Sequence, residues 1–160
     1  ALRVGDELAL VPLAETGAAE ANAPVSGHHQ IADPIRVVWS VHADLFPETV
    51  RSGFIDAEFQ VTARMDRMGV RLKDMGGIFA GANILSLVSD SIVPGDIQIL
   101  GDGTPIVLLR DHQPTGGYPR IATVISADLD RFAQLRPGTP VAFQPVTVEH
   151  AQVLLRSRRP

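Results

Sequence analysis

The segment best equipped for chemistry is Gln113-Pro114-Thr115-Gly116-Gly117-Tyr118-Pro119, which lies between apolar runs at 105–109 and 121–125. An amide and a hydroxyl two residues apart offer both donors and acceptors, the pairing that an amide, a urea or a lactam requires. The Tyr118 ring can stack on a planar ligand. Gly116 and Gly117 lack a Cβ, so a ligand can approach their N–H groups closely; the same pair equally solves a tight crossover between strands. Arg120 carries a permanent charge for an anionic group. Arg67 offers a second guanidinium for a carboxylate, and Asp66 beside it either orients it or closes a salt bridge that pins a turn. Asp111-His112 puts a carboxylate next to a group that titrates near neutrality, as a general base must. Adjacent residues at a strand end point to opposite faces, so the two need not meet. Asp96 and Gln98 read either as polar support behind these contacts or as plain turn and strand residues.

These residues need a frame. Residues 35–41 are β-branched and aromatic behind Pro34, which predicts a strand with Trp39 in the core. Residues 57–63 alternate apolar and polar, as do 69–73, and 66–68 join the two strands. Residues 97–100 and 105–109 flank Gly101-Asp102-Gly103, a hairpin pattern. Further strands are expected at 121–125 and 141–146. Short helices are expected at 45–53 behind Pro47, at 127–135 capped by Ser126 or Asp128, and after Thr147 with Val148, Ala151 and Leu155 on one face. Residues 75–82 form a Gly-rich loop. The sum is a mainly β chain, an antiparallel-rich barrel or sandwich with a few short helical caps. Residues 1–33 read as an entry strand and flexible loop, and 34–160 as the barrel domain.

Composition removes several functions. The chain has 160 residues, 45% hydrophobic, with 14 Gly and 12 Pro, the punctuation of short strands joined by turns. A net charge of -4 and a pI near 5.7 offer no basic face for nucleic acid or an anionic membrane. The tail Arg156-Ser157-Arg158-Arg159 reads as a solvated end. No apolar run approaches the ~20 residues of a membrane span. The absence of cysteine excludes disulfides, thiolate metal sites and a Cys nucleophile, and fits a cytoplasmic protein. His28 and His29 lack carboxylates at ligand spacing, so no metal site is expected. The first residues lack the regions of a signal peptide, and a chain that begins in mid-element reads as a fragment or processed product. No dinucleotide fingerprint or Walker loop is present. Lys73 is the single lysine and stands in no biotin-attachment motif.

Four segments then fall in a familiar order: 65–72 (Met-Asp-Arg-Met-Gly-Val-Arg-Leu), 93–98 (Val-Pro-Gly-Asp-Ile-Gln), 103–109 (Gly-Thr-Pro-Ile-Val-Leu-Leu) and 113–125, which opens on the Gln-Pro-Thr-Gly-Gly-Tyr-Pro-Arg run. Ala127-Asp128-Leu129 and 133–138 follow. Over residues 34–150 the chain resembles the C-terminal half of the allophanate hydrolase subunit 2 family, which includes KipA, the C-subunit of 5-oxoprolinase and the matching part of urea carboxylase. The family's run resembles Arg-Gln-Thr-Thr-Gly-Gly-Tyr-Pro-Lys; His112, Pro114 and Arg120 are departures here. The resemblance implies a cyclophilin-like β-barrel. It implies a component of a multi-subunit enzyme of amide or lactam chemistry, not active alone. That enzyme is either a biotin-dependent carboxyltransferase that moves a carboxyl group from carboxybiotin to a substrate nitrogen, or an ATP-dependent hydrolase that opens 5-oxoproline to glutamate. Partners implied are the family's subunit 1 and a third subunit, with a small amide, urea or lactam as substrate. KipA-like members imply the alternative, a regulatory module that binds a protein partner without turnover. Contact with substrate falls to Gln113, Thr115, Gly116, Gly117, Tyr118, Arg67 and Arg120, with Asp66, Asp96, Gln98, Asp111 and His112 behind them; no catalytic residue is assigned.

Overall fold

The structure is a computed structural model and describes residues 33–80 and 86–157. The expected entry strand and most of the loop that follows it, with His28 and His29, lie outside the described residues. In chain order come β1 (Ile35–Trp39), a 3-10 turn (Ala43–Leu45), α1 (Glu48–Asp56), β2 (Phe59–Met65) and β3 (Gly69–Asp74). Next are β4 (Asp90–Ser91), β5 (Asp96–Ile99), β6 (Pro105–Leu108), β7 (Thr115–Gly116), β8 (Arg120–Val124) and α2 (Ser126–Ala133). The described chain ends with β9 (Pro140–Val141), β10 (Phe143–Pro145) and α3 (Val148–Ser157).

Eight strands form one sheet in the order β10-β1-β8-β5-β6-β3-β2-β9. Every pair is antiparallel except β1 with β10. Strands β9 and β10 occupy opposite edges yet are separated only by Ala142, whose carbonyl accepts the Ile35 N–H at 2.8 Å. One passage of chain thus joins both edges and nearly closes the sheet into a barrel, which removes exposed strand edges. This corrects the single strand expected at 141–146: the chain changes neighbours there, from β2 to β1.

The alternation in β2 and β3 has its expected consequence. Phe59, Val61, Val70 and Leu72 point inward and are buried. Helix α1 drops Phe54 into the same core, where it stacks on Phe143 at 4.9 Å and meets Phe59 at 5.6 Å. Trp39 departs from expectation. It ends β1 at the rim, 39% exposed, with its ring 6.1 Å from that of Phe54.

Helix α2 begins on Ile125, not on a side-chain cap. Asp128 is turned away from the helix end and fully buried. It accepts hydrogen bonds from the Arg36 backbone N–H at 2.9 Å and from the Arg36 guanidinium at 2.9 and 2.6 Å, and Arg131 adds a third guanidinium contact at 3.2 Å. Burial alone would push this carboxyl up. The hydrogen bonds and charge of Arg36, helped by Arg131, outweigh burial and hold it at about 2. The network clamps α2 to β1. Thr147 caps α3 as expected, its hydroxyl accepting the His150 N–H at 3.2 Å. None of the α3 residues is buried; Val148, Ala151 and Leu155 instead line a groove of about 350 Å³ against Val38, Val93 and Leu129.

Candidate functional site

The polar loop 113–119 lies between β6 and β8, contains β7, and is held by two devices. The first is a two-stranded ribbon in which β4 pairs with β7, Asp90 opposite Gly116 and Ser91 opposite Thr115. The ribbon needs the glycines for close approach. A Cβ on Gly116 would stand 2.5 Å from Gln98 Nε2, and one on Gly117 would stand 3.0 Å from the Leu87 carbonyl oxygen. Neither glycine uses a positive φ. Leu87 donates its N–H to the Gly117 carbonyl at 2.6 Å.

The second device is Arg120. Between β5 and β8 the register slips by one residue at Ile97/Gln98, and consecutive residues Arg120 and Ile121 both become buried. The Arg120 guanidinium donates to Asp90 at 2.8 Å, to Asp96 at 3.3 Å, to the Ser91 carbonyl and, through Nε, to His42 Nδ1 at 3.4 Å. Four of its five N–H groups therefore have partners within the protein. Asp96, 2% exposed, also accepts from Thr123 Oγ1 at 2.7 Å and from the Val93 N–H at 3.0 Å. Backbone hydrogen bonding from Ser91, then the Arg120 side chain, holds the Asp90 carboxyl below its usual range. Burial, then the charge of Arg120, pushes His42 below its usual value. With Nδ1 accepting, the neutral ring carries its proton on Nε2.

Each residue singled out in the sequence can now be placed. Gln113, Thr115 and Tyr118 are exposed on the loop, and the side chains of Gln113 and Thr115 make no hydrogen bond among the described residues. Arg120, Asp96 and Gln98 are buried beneath them, with Gln98 Nε2 at 3.5 Å from the Tyr118 carbonyl oxygen. Arg67 and Asp111 form a separate group. Arg67 pairs with Asp111 at 2.8 Å and, with Leu109 and Asp130, lines a pocket of about 290 Å³ that has no contribution from Gln113 or Tyr118. Asp66 does not orient Arg67. Its carboxylate accepts the N–H groups of Met68 at 2.8 Å and Gly69 at 3.1 Å, an Asx turn that closes the β2–β3 connection. His112 turns from Asp111 and contacts the Gln113 carbonyl. Sequence reasoning passed over His42, Asp90, Ser91 and Thr123. Its one available signal was chemical: a buried arginine needs several acceptors. Asp90 and Asp96 bracket Pro94-Gly95, but His42 lies 78 residues from Arg120 and gave no local sign. Among the described residues no group of three or more His, Asp or Glu side chains is placed to hold a metal ion.

A nearly closed barrel carrying a ribbon-held polar loop over a buried arginine defines a class, and comparison with known proteins identifies it. The family described as carboxyltransferase domain, subdomain A and B, matches residues 1–145, and this chain belongs to it. It is 38% identical over 106 residues to the C-subunit of 5-oxoprolinase from Escherichia coli K12, covering 66% of this chain and 34% of that protein. It is 35% identical over 126 residues to the C-subunit of 5-oxoprolinase from Haemophilus influenzae, covering 79% of this chain and 40% of that one. Among solved structures, the K. lactis urea amidolyase matches at a TM-score of 0.67 and 28% identity, over 78% of this chain and 8% of that chain. The Kluyveromyces lactis urea carboxylase matches at the same score and identity, over 78% and 12%. The chain thus spans 34% to 40% of the length of the curated relatives named.

Proposed function

We propose that this chain is the carboxyltransferase-type part of a multi-subunit cytoplasmic enzyme that acts on a small amide, urea or lactam and has no activity alone. The observation that carries the reading is the loop 113–119, whose backbone is fixed by the β4–β7 ribbon and Arg120 while Gln113, Thr115 and Tyr118 stay exposed and the first two unpaired. Rigid backbone beneath free polar side chains is a common plan for a binding site. An amide group facing Gln113 and Thr115 would find donor and acceptor together. A lactam ranks ahead of urea, because the 5-oxoprolinase relatives are 38% and 35% identical and the urea enzymes 28%. ATP, or carboxybiotin in the urea branch, would be supplied through the subunit 1 partner and a third subunit. Arg120 serves this site as a positioning residue, since its N–H groups are directed to Asp90, Asp96, Ser91 and His42. Arg67, paired with Asp111 elsewhere, serves a separate pocket.

The test is to purify the native complex that contains this chain and measure ATP hydrolysis with 5-oxoproline and with urea. Stimulation by 5-oxoproline with release of glutamate is the expected result. Gln113→Ala in that complex should lower kcat/KM about tenfold without changing its melting temperature, the scale of one lost hydrogen bond to a buried polar group. An assembled complex that neither substrate stimulates would overturn the enzymatic reading and favour a regulatory module. An unchanged Gln113→Ala would remove the loop from the site.

A further inference from the structure

On the outer face of β2 and β3 lies a groove of about 540 Å³. Its position follows from alternation. Val61 faces Leu72 across the pair and both point inward, so Thr62, Arg71 and Lys73 point out. The register slip between Val61 and Met65 brings Arg64 to the same groove. Two guanidiniums and an ammonium thus face one concavity.

Among the described residues, none of these three cations has a carboxylate within 4.0 Å, a condition they share with Arg110, Arg136 and Arg156 but not with Arg36, Arg51, Arg67, Arg120 and Arg131. Two acids line the groove, and both are turned to backbone. Asp74 accepts the N–H groups of Gly76 at 3.1 Å, Gly77 at 2.8 Å and Phe79 at 3.0 Å. Asp102 accepts the Thr104 N–H at 2.9 Å. That bond, with the Thr104 hydroxyl and the more distant charge of Arg71, keeps the Asp102 carboxyl below its usual range. The groove remains net positive in a chain whose net charge is -4. Like charges crowded on one sheet face repel, and an anion seated among them relieves the repulsion. Guanidinium forks pair bidentately with phosphate and carboxylate oxygens. With Asp74 and Asp102 in the wall the net charge of the groove is one positive, so an anion is favoured by the two guanidinium forks and the ammonium and not by a large field.

We propose that this groove binds a small oxyanion, phosphoryl or carboxylate, through Arg64, Arg71 and Lys73. The site is separate from the loop 113–119, so it stands whether or not the enzymatic reading does.

Lys73 makes the test direct, because it is the only lysine in the chain. The rate at which a water-soluble active ester acylates Lys73 is read by peptide mass spectrometry, with inorganic phosphate, succinate or sodium chloride added at matched ionic strength. Phosphate or succinate should slow the reaction saturably, by about fivefold at four times the dissociation constant, and chloride should not. Protection by phosphate alone assigns a phosphoryl ligand, and protection by succinate alone a carboxylate. Arg71→Gln should abolish the saturable component while thermal unfolding stays unchanged, and Arg64→Gln should weaken it. Protection that follows ionic strength only, or that survives both substitutions, overturns the proposal.

Discussion

Replacing Arg120 with methionine keeps much of the length of the side chain and removes every donor. Four hydrogen bonds are lost, to Asp90, Asp96, the Ser91 carbonyl and His42. Asp96, 2% exposed, is left buried with its charge. Removing one partner of a buried ion pair costs about 3–5 kcal/mol. Asp96 retains the Thr123 hydroxyl and the Val93 N–H, which places the expectation at the low end, about 3 kcal/mol. With a urea m-value of about 1–3 kcal/mol/M, the unfolding midpoint falls by roughly 1–3 M. Adding Asp96→Leu to Arg120→Met should recover part of that loss, because the uncompensated charge leaves with it; a coupling above about 1 kcal/mol in the double-mutant cycle is expected. A second readout isolates the electrostatics. Burial and then Arg120 depress the His42 pKa, so the histidine's NMR titration should move upward in Arg120→Met. A stability loss below about 1 kcal/mol together with an unmoved His42 titration would show that Arg120 does not hold the site as described.

The Asp128 clamp makes stability depend on pH. Its carboxyl titrates at about 2 in the folded chain against an ordinary 3.8, so its contribution is present above pH 3.8 and is lost as pH falls through about 2. The full shift corresponds to about 2.4 kcal/mol, and the quarter-exposed Arg36 side chain admits solvent screening, so denaturant titrations should show about 1–2 kcal/mol lost through this group between pH 5 and pH 2. Asp128→Asn should be less stable at pH 7 and lack that increment; an equal acid loss in the variant would assign the titration elsewhere. Two glycines with positive φ offer a matched pair. Gly95→Ala places a Cβ 2.7 Å from the Val124 carbonyl oxygen, whereas Gly138→Ala meets nothing within 4 Å. Backbone strain of about 1–2 kcal/mol is common to both, so thermal unfolding should show Gly95→Ala to be clearly the worse, and equal losses would refute the contact.

What was legible in the sequence was what depends on near neighbours. Alternation placed β2 and β3, and Gly101-Asp102-Gly103 announced the β5–β6 hairpin; period and turn chemistry are properties of a few adjacent residues. The ribbon of β4 with β7 escaped notice because two-residue strands carry no period, and its partners lie 24 or more positions apart. Trp39 was misplaced for a related reason: an aromatic on an apolar strand is normally core, but only the tertiary fold says that β1 ends at the rim.

The same distinction decides the chemistry of the arginines. As letters, Arg67, Arg71 and Arg120 are one cation repeated. In the fold, Arg67 is neutralised by Asp111, Arg120 is set by a register slip on the outer face beside Asp96 and Gln98, where it meets acceptors 24 to 78 residues away, and Arg71 meets no carboxylate within 4.0 Å among the described residues. A guanidinium that already donates four hydrogen bonds has one N–H left to offer a ligand, so its effect on the loop 113–119 is to fix geometry rather than to supply charge. Recognition at that loop then rests on neutral groups, Gln113, Thr115 and Tyr118, which suit an uncharged amide better than an anion. An anionic ligand is better matched by the groove on the outer face of β2 and β3, where Arg64, Arg71 and Lys73 have been left without carboxylate partners.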